Sequence, residues 1–142
     1  MRKTLSLAIS ACGATPSNGS GNQSPTPTTF TGQWTLNSVV DKHRSVTTDV
    51  TKLGASVEIE RSFIKSFDGC NHGTANLSID DSTMKTSDPM FTAQGCKDAG
   101  SLTLVRGAMA ELYSSSGAPI ARAVNALTVQ TVGFTLTFTK SS

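Results

Sequence analysis

Leu127-Thr128-Val129-Gln130-Thr131-Val132-Gly133-Phe134-Thr135-Leu136-Thr137-Phe138 is the stretch that decides the fold. Leu127, Val129 and Thr131 fall on every second position, and so do Phe134, Leu136 and Phe138. That two-residue period belongs to half-buried strands. Val132-Gly133 between them is a tight connection, so the two runs are expected to fold back on each other as an antiparallel hairpin.

Working backwards, the same alternation recurs as far as Phe30. Trp34, Leu36 and Val40 are read as one face of a first strand. Val57 and Ile59 mark a second, and Phe63, Lys65 and Phe67, or the neighbouring Ile64, a third that runs into Asp68-Gly69. Leu77 and Ile79 mark a fourth, with Asp80-Asp81-Ser82 as a turn before Met84. One segment departs from this period. Leu102, Val105, Met109 and Leu112 recur at spacings of three and four, which predicts an amphipathic helix. Asp98 or Ser101 is expected to cap its start and Gly117 to end it. Gly107 in its interior lowers helix stability by about 1 kcal/mol relative to alanine, which suggests close packing against a strand. Many short antiparallel strands and one apolar-striped helix predict a mainly β, α+β unit: a curved sheet wrapped around the helix with one shared core.

The chain before this unit has a different composition. Met1-Arg2-Lys3 is basic, Thr4 to Ala11 is a short apolar run, and small residues lead to Cys12. This is the layout of a secretory signal. Ile9-Ser10-Ala11-Cys12 also resembles the lipobox of bacterial lipoproteins, which implies a lipidated Cys12, cleavage after Ala11 and a signal peptide over residues 1–11. Two or three acyl chains anchor a protein stably, since each buried methylene contributes ~0.8 kcal/mol. Gly13 to Thr29 is built, Ala14 apart, from Gly, Ser, Thr, Pro, Asn and Gln. Such a segment buries too little surface to offset the entropy of ordering it. Residues 12–29 are therefore expected to be the lipidated cysteine and its tether, spanning roughly 20 to 25 Å as a flexible coil. The Asn-x-Ser sequons at Asn18, Asn22 and Asn76 are incidental in a bacterial lipoprotein.

The 142 residues suit one domain. Twelve basic and ten acidic residues give a formal charge of +2, but removing Arg2 and Lys3 leaves the numbers equal. A neutral chain lacks the phosphate-neutralising footprint of a nucleic-acid binder. The mixed-sign run Asp41-Lys42-His43-Arg44 is read as a solvated loop between strands. Nothing after residue 12 approaches the ~18 consecutive apolar residues of a membrane span.

Four landmarks then stand in order: Gly32-Gln33-Trp34 at the start of the domain, Gly69-Cys70-Asn71 mid-chain, Thr92-Ala93-Gln94-Gly95-Cys96, and the helix followed by the closing hairpin. Over residues 30–140 this order resembles the META domain, or HslJ, family. Trp34, Gly69, Cys70, Asn71, Thr92 and Cys96 match its motifs. Gln94-Gly95 stands where the family usually has Met-Ala, Ala75 where it often has glycine, and Leu104 where an acidic residue is common. The resemblance implies an antiparallel, incompletely closed barrel wrapped on a helix, in envelope proteins linked to heat shock, stress tolerance and antibiotic resistance, with no established catalytic activity.

Chemistry is sparse. With Cys12 lipidated, Cys70 and Cys96 remain; an oxidising compartment favours a disulfide between them if their Cα atoms come within about 7 Å, and buried free thiols are the alternative. A structural zinc site would need Cys70, His72, Cys96 and His43 to converge from separate loops. Glu58 and Glu60 alternate with Val57 and Ile59 and read as a solvent face rather than a glycosidase pair. No nucleophile elbow, Ser-x-x-Lys or phosphate-binding glycine loop occurs. The reading that follows is a non-enzymatic, cofactor-free, metal-free module held to a membrane of the bacterial cell envelope by its lipid, outside the cytoplasm, that binds an envelope protein or wall component. The rival reading is a tethered inhibitor of a lytic enzyme, a lysozyme or protease, acting through the Asp41 to Val50 loop.

Overall fold

The fold was described from a computed structural model covering residues 28–97, 100–114 and 117–141. The expected signal peptide, Cys12 and most of the expected tether lie outside the described residues.

The described residues form nine strands and one α-helix: β1 (Gly32–Asp41), β2 (Val46–Asp49), β3 (Ser56–Ile59), β4 (Phe63–Phe67), β5 (His72–Asp80), β6 (Thr83–Phe91), α1 (Leu102–Ala110), β7 (Ala118–Arg122), β8 (Ala126–Gln130) and β9 (Phe134–Lys140). Every pairing is antiparallel. The ring β1-β3-β4-β5-β6-β7-β8-β9 closes through a ladder between β9 and β1 that runs from Phe134–Asp41 to Lys140–Trp34. β2 adds a ninth strand to the outer part of β1, where Ser38 to Asp41 pair with Asp49 to Val46. The mainly β, α+β barrel expected from the sequence is therefore present. Its thinnest seam is between β6 and β7, where only Thr83–Pro119 and Met84–Ala118 pair. From Lys85 onward β6 leaves β7, and the helical segment fills the opening.

The predicted inward positions hold for most strands. Trp34, Leu36, Val57, Ile59, Leu77, Ile79, Met84, Leu127, Val129, Leu136 and Phe138 are buried in one cluster. On the first strand the core face switches from Leu36 to Val39, not Val40. Asn37 is an extra residue between the Phe138–Leu36 and Thr137–Ser38 pairs, and such a bulge reverses the inward alternation beyond it. On β4 the inward residues are Ile64 and Ser66, while Phe63 and Phe67 are half-buried. Asp81 and Ser82 both adopt positive φ, 56° and 65°, at the tight β5–β6 turn.

The helix forms where its period predicts, with Leu102, Val105, Met109 and Leu112 all buried. Its ends differ from expectation. Ser101 occupies the N-cap position without a side-chain cap bond, and Asp98 lies outside the described residues. At the other end the chain tightens into a 3-10 turn, Glu111–Tyr113, and becomes extended at Ser114, before Gly117. Tertiary bonds stop it there: the Glu111 carboxylate accepts the Gly133 N–H at 2.9 Å, and the Tyr113 hydroxyl meets Ser66 Oγ at 2.5 Å. Among the described residues, no helix is long and apolar enough to cross a membrane.

Strand directions define two poles. At one, the 3-10 turn Thr28–Phe30 packs beneath the barrel and the Trp34 indole N–H donates to the Phe30 carbonyl at 3.1 Å. The Arg122 guanidinium and Lys140 ammonium lie 5.1 and 5.0 Å from the Trp34 ring centre and donate to the carbonyls of Thr29 and Thr31. Trp34 is fully buried, and cation–π contacts at such a site contribute about 1–2 kcal/mol each. The opposite pole carries α1, the β4–β5 turn and the segment after β6.

Candidate functional site

At the helix pole, the β4–β5 turn is set by Asp68, whose Oδ1 accepts the backbone N–H groups of Cys70 at 2.9 Å and Asn71 at 2.7 Å. Gly69 has φ +96°, and a Cβ there would meet Leu102 Cδ1 at 2.8 Å. The backbone angle requires glycine, whereas the contact is with the tip of a flexible leucine that can move aside.

Asn71 reaches from this turn to the segment after β6. Its Oδ1 accepts from Thr92 Oγ1 at 3.0 Å and from the Gln94 N–H at 2.7 Å, while its Nδ2 donates to the Gln94 carbonyl at 3.2 Å. Thr92 in turn exchanges bonds with the His72 backbone, its Oγ1 accepting at 3.0 Å and its N–H donating at 2.9 Å. Beside these contacts Cys70 and Cys96 form a disulfide with Cα atoms 6.0 Å apart. Five of the motif residues singled out in the sequence, Gly69, Cys70, Asn71, Thr92 and Cys96, thus meet in one staple. Trp34 is at the other pole.

Because both thiols are in the disulfide, Cys70 and Cys96 do not join His72 and His43 in a four-ligand set. His72 is exposed and its ring lies 4.9 Å from that of Phe67. Among the described residues, no group of three or more His, Cys, Asp or Glu is placed to hold a metal ion. Glu60 forms a long ion pair with Lys65 at 3.9 Å across half-exposed surface. The Asp41–Val50 segment is a β1–β2 hairpin whose turn, Lys42 to Ser45, is exposed and held by Asp41 Oδ1 accepting the N–H groups of His43 and Arg44, with Lys42 Nζ donating to the Thr131 carbonyl at 2.6 Å. Burial raises the Asp41 carboxyl, but these bonds and the Arg44 guanidinium outweigh it and hold it below its ordinary range.

Next to the staple, between α1 and the ends of β4, β5 and β6, lies a cleft of about 470 Å³. Its size falls in the range of small-molecule sites. Phe91 and Tyr113 form one wall, with ring centres 4.9 Å apart, edge to face. Met109, Ala110 and Gly107 of the helix form another, and Arg106, Asp68 and Asn71 stand at its margin. Phe91 is 55% exposed and the adjacent Met90 73%, whereas Ser66 on the cleft floor is 8% exposed.

Small residues shape this wall. Ser66 and Gly73 are paired across β4 and β5, both on the inward face, and Gly73 lets the Phe91 ring lie against the sheet, since a Cβ there would stand 2.8 Å from it. Gly107 was expected to permit close packing against a strand; instead a Cβ there would meet nothing within 4 Å. It borders open space. Burial pushes the Tyr113 hydroxyl above the ordinary tyrosine range, partly countered by the Ser66 bond and aided by the nearby Asp68 carboxylate. Tyr113 therefore stays protonated at neutral pH, and Asp68 is occupied in holding a turn.

Sequence reasoning did not find the cleft. The available signal was the inward phase of β4: once Ile64 faces the core, so does Ser66, opposite a glycine. A serine and a glycine facing each other across a core face announce that something other than aliphatic packing stands there, here the Phe91 ring and the Tyr113 hydroxyl.

Two solved structures are similar in fold. One is an NMR structure of a protein from Burkholderia xenovorans, with a TM-score of 0.61 and 17% identity, covering 90% of this chain and 97% of that one. The other is also an NMR structure, with a TM-score of 0.62 and 20% identity, covering 77% of this chain and 88% of that one. At these identities the likeness extends to the fold alone. No protein-family model and no curated protein matches the chain.

Proposed function

We propose that this chain is a non-enzymatic, lipid-anchored protein of the bacterial cell envelope, related to META domain proteins and acting in stress tolerance by binding a ligand in the cleft of the helix pole. The observation that carries the reading is the Cys70–Cys96 disulfide in a domain that follows a lipobox-like Cys12. Such bridges persist in oxidising compartments and are rare in the cytosol. The convergence of Gly69, Cys70, Asn71, Thr92 and Cys96 supports the META relationship, since one staple gives all five a shared reason to be there.

Binding rather than catalysis is favoured by the state of the cleft's ionisable groups. A tyrosine whose pKa is raised supplies no anion at neutral pH, and Asp68 Oδ1 is engaged by the two backbone N–H groups of its turn. The chain reaches the barrel at Phe30, on the pole opposite the cleft. A tether from Cys12 to that pole leaves the cleft pole free to meet soluble envelope components.

The test is the intact mass of the protein extracted by detergent from its native membranes, with and without reduction before alkylation. The expected product begins at Cys12, carries acyl chains, and shows two thiols only after reduction. An unmodified chain beginning at Met1 would overturn the reading.

The inhibitor reading is favoured by one feature, the exposed and internally braced β1–β2 hairpin. Nanomolar inhibition of a lysozyme or protease, lost when residues 42–45 are replaced by Gly-Asn, would establish it; unaltered enzyme activity at micromolar protein would end it.

A further inference from the structure

Reading the cleft as the binding site, we infer that its ligand is a neutral, ring-bearing small molecule, aromatic or alicyclic, whose polar atom is a hydrogen-bond acceptor taken by the Ser66–Tyr113 hydroxyl pair.

Shape and apolarity come from the walls. Phe91 and Tyr113 meet edge to face and Met109, Ala110 and Gly107 stand opposite, so the space between is lined by ring and methylene surface. A flat or compact ring buries most area in such a slot, and aromatic neighbours add about 0.5–1.5 kcal/mol beyond the area alone. Phe91, 55% exposed, has unused face to offer.

The acceptor follows from proton counting. Two hydroxyls carry two protons, and the 2.5 Å bond between Ser66 Oγ and Tyr113 Oη uses one. Among the described residues neither oxygen has a second hydrogen-bond partner. Ser66 is more than nine-tenths buried and Tyr113 half-buried, so the remaining proton, on whichever oxygen carries it, is directed at the cleft that both residues line. A buried donor without an acceptor is unfavourable by ~1–3 kcal/mol, and a ligand carbonyl, ether or ring nitrogen on the floor removes that penalty.

Neutrality follows from the margin. The cleft is flanked by the Asp68 carboxylate and the Arg106 guanidinium. A charged ligand gains from one and is repelled by the other, while the apolar walls tax its desolvation either way.

The test is a two-dimensional amide NMR titration of the full-length chain carrying Cys12→Ser, with acetophenone, ethylbenzene and benzoate as probes. Dissociation constants on the order of 1 mM are expected for ligands this small. Acetophenone should shift the amides of Gly73 and Gly107 and bind about 5-fold more tightly than ethylbenzene, the factor corresponding to one hydrogen bond. In Ser66→Ala/Tyr113→Phe that advantage should vanish while ethylbenzene binding persists. Gly107→Leu should abolish both without unfolding the protein, because its side chain enters the open cleft. Tighter binding of benzoate, equal binding of acetophenone and ethylbenzene to the unsubstituted chain, or no shift at Gly73 and Gly107 with any probe would each overturn the inference. These outcomes are independent of the intact-mass result, so the ligand class and the anchored state stand or fall separately.

Discussion

Removing the bridge by Cys70→Ala/Cys96→Ala should destabilise the domain by about 3.5 kcal/mol. The two cysteines are 26 residues apart, and closing a loop of that length withdraws ~12 cal/mol/K from the unfolded chain in the loop-closure model, or ~3.5 kcal/mol at 25 °C. For a unit of this size each kcal/mol moves the midpoint by about 4–5 °C, so Tm should fall by roughly 15 °C. Trp34 is the single tryptophan and is fully buried, so its fluorescence reports unfolding from the opposite pole. Urea titration should give a lower midpoint together with a larger slope, because the uncrosslinked chain exposes more surface when unfolded. Since the effect lies in the unfolded state, the folded variant should retain the Asn71–Gln94 bonds and its cleft. A loss below about 1 kcal/mol, with an unchanged slope, would refute the reasoning, for it would mean that the segment between the cysteines is already compact without the bridge.

Gly107→Ala should stabilise the domain by about 1 kcal/mol in the same titration, since helix propensity improves and no atom lies within 4 Å of the added Cβ. Trp34→Ala should remove roughly 3–5 kcal/mol and leave little folded protein by circular dichroism, because it deletes the largest buried side chain and its two cation contacts. Stability should decline in alkali: Tyr113 has its pKa raised above the ordinary 10.0 in the folded state, so its contribution is present below pH 10 and lost as pH rises through the folded value. Tyr113→Phe should flatten that alkaline decline in thermal melts from pH 8 to 11.

Much of the fold was legible because period-two patterning is a local signal. The β8–β9 hairpin, the inward faces of β3 and β5 and the four buried helix positions need nothing beyond the sequence to be placed. What escaped depends on other parts of the molecule. The Asn37 bulge shifts the core face from Val40 to Val39, and what sets Asn37 apart is tertiary: it holds the loop after β2, its carbonyl accepting the Val50 N–H at 2.8 Å and its Nδ2 donating to Thr51 Oγ1 at 3.3 Å. β2 has no alternation because Val46 to Asp49 have no core to face, and β7 contains Pro119, which ordinarily argues against a strand. Pro119 is tolerated at the seam where β6 and β7 part company. The helix ends early because Glu111 and Tyr113 are held by Gly133 and Ser66, partners 22 and 47 residues away. The disulfide pairing was open in the sequence and followed once the β4–β5 turn and the segment after β6 were side by side.

The cleft was hidden for a related reason: each of its residues looks unremarkable alone, and only together do they show a pole built differently from the rest. At the Trp34 pole large side chains fill the space and cations cover the indole. At the helix pole Ser66 occupies an inward position where an aliphatic side chain would contribute about 1.5–3 kcal/mol, Gly73 gives its place to the half-exposed Phe91 ring, and Gly107 weakens the helix by about 1 kcal/mol. Those losses fall where the Cys70–Cys96 bridge contributes about 3.5 kcal/mol and the three Asn71 side-chain bonds about 0.5–1.5 kcal/mol each. Placing the staple beside the void is what keeps that pole ordered while it remains open, and an open, ordered, apolar-walled space is the form a binding site takes.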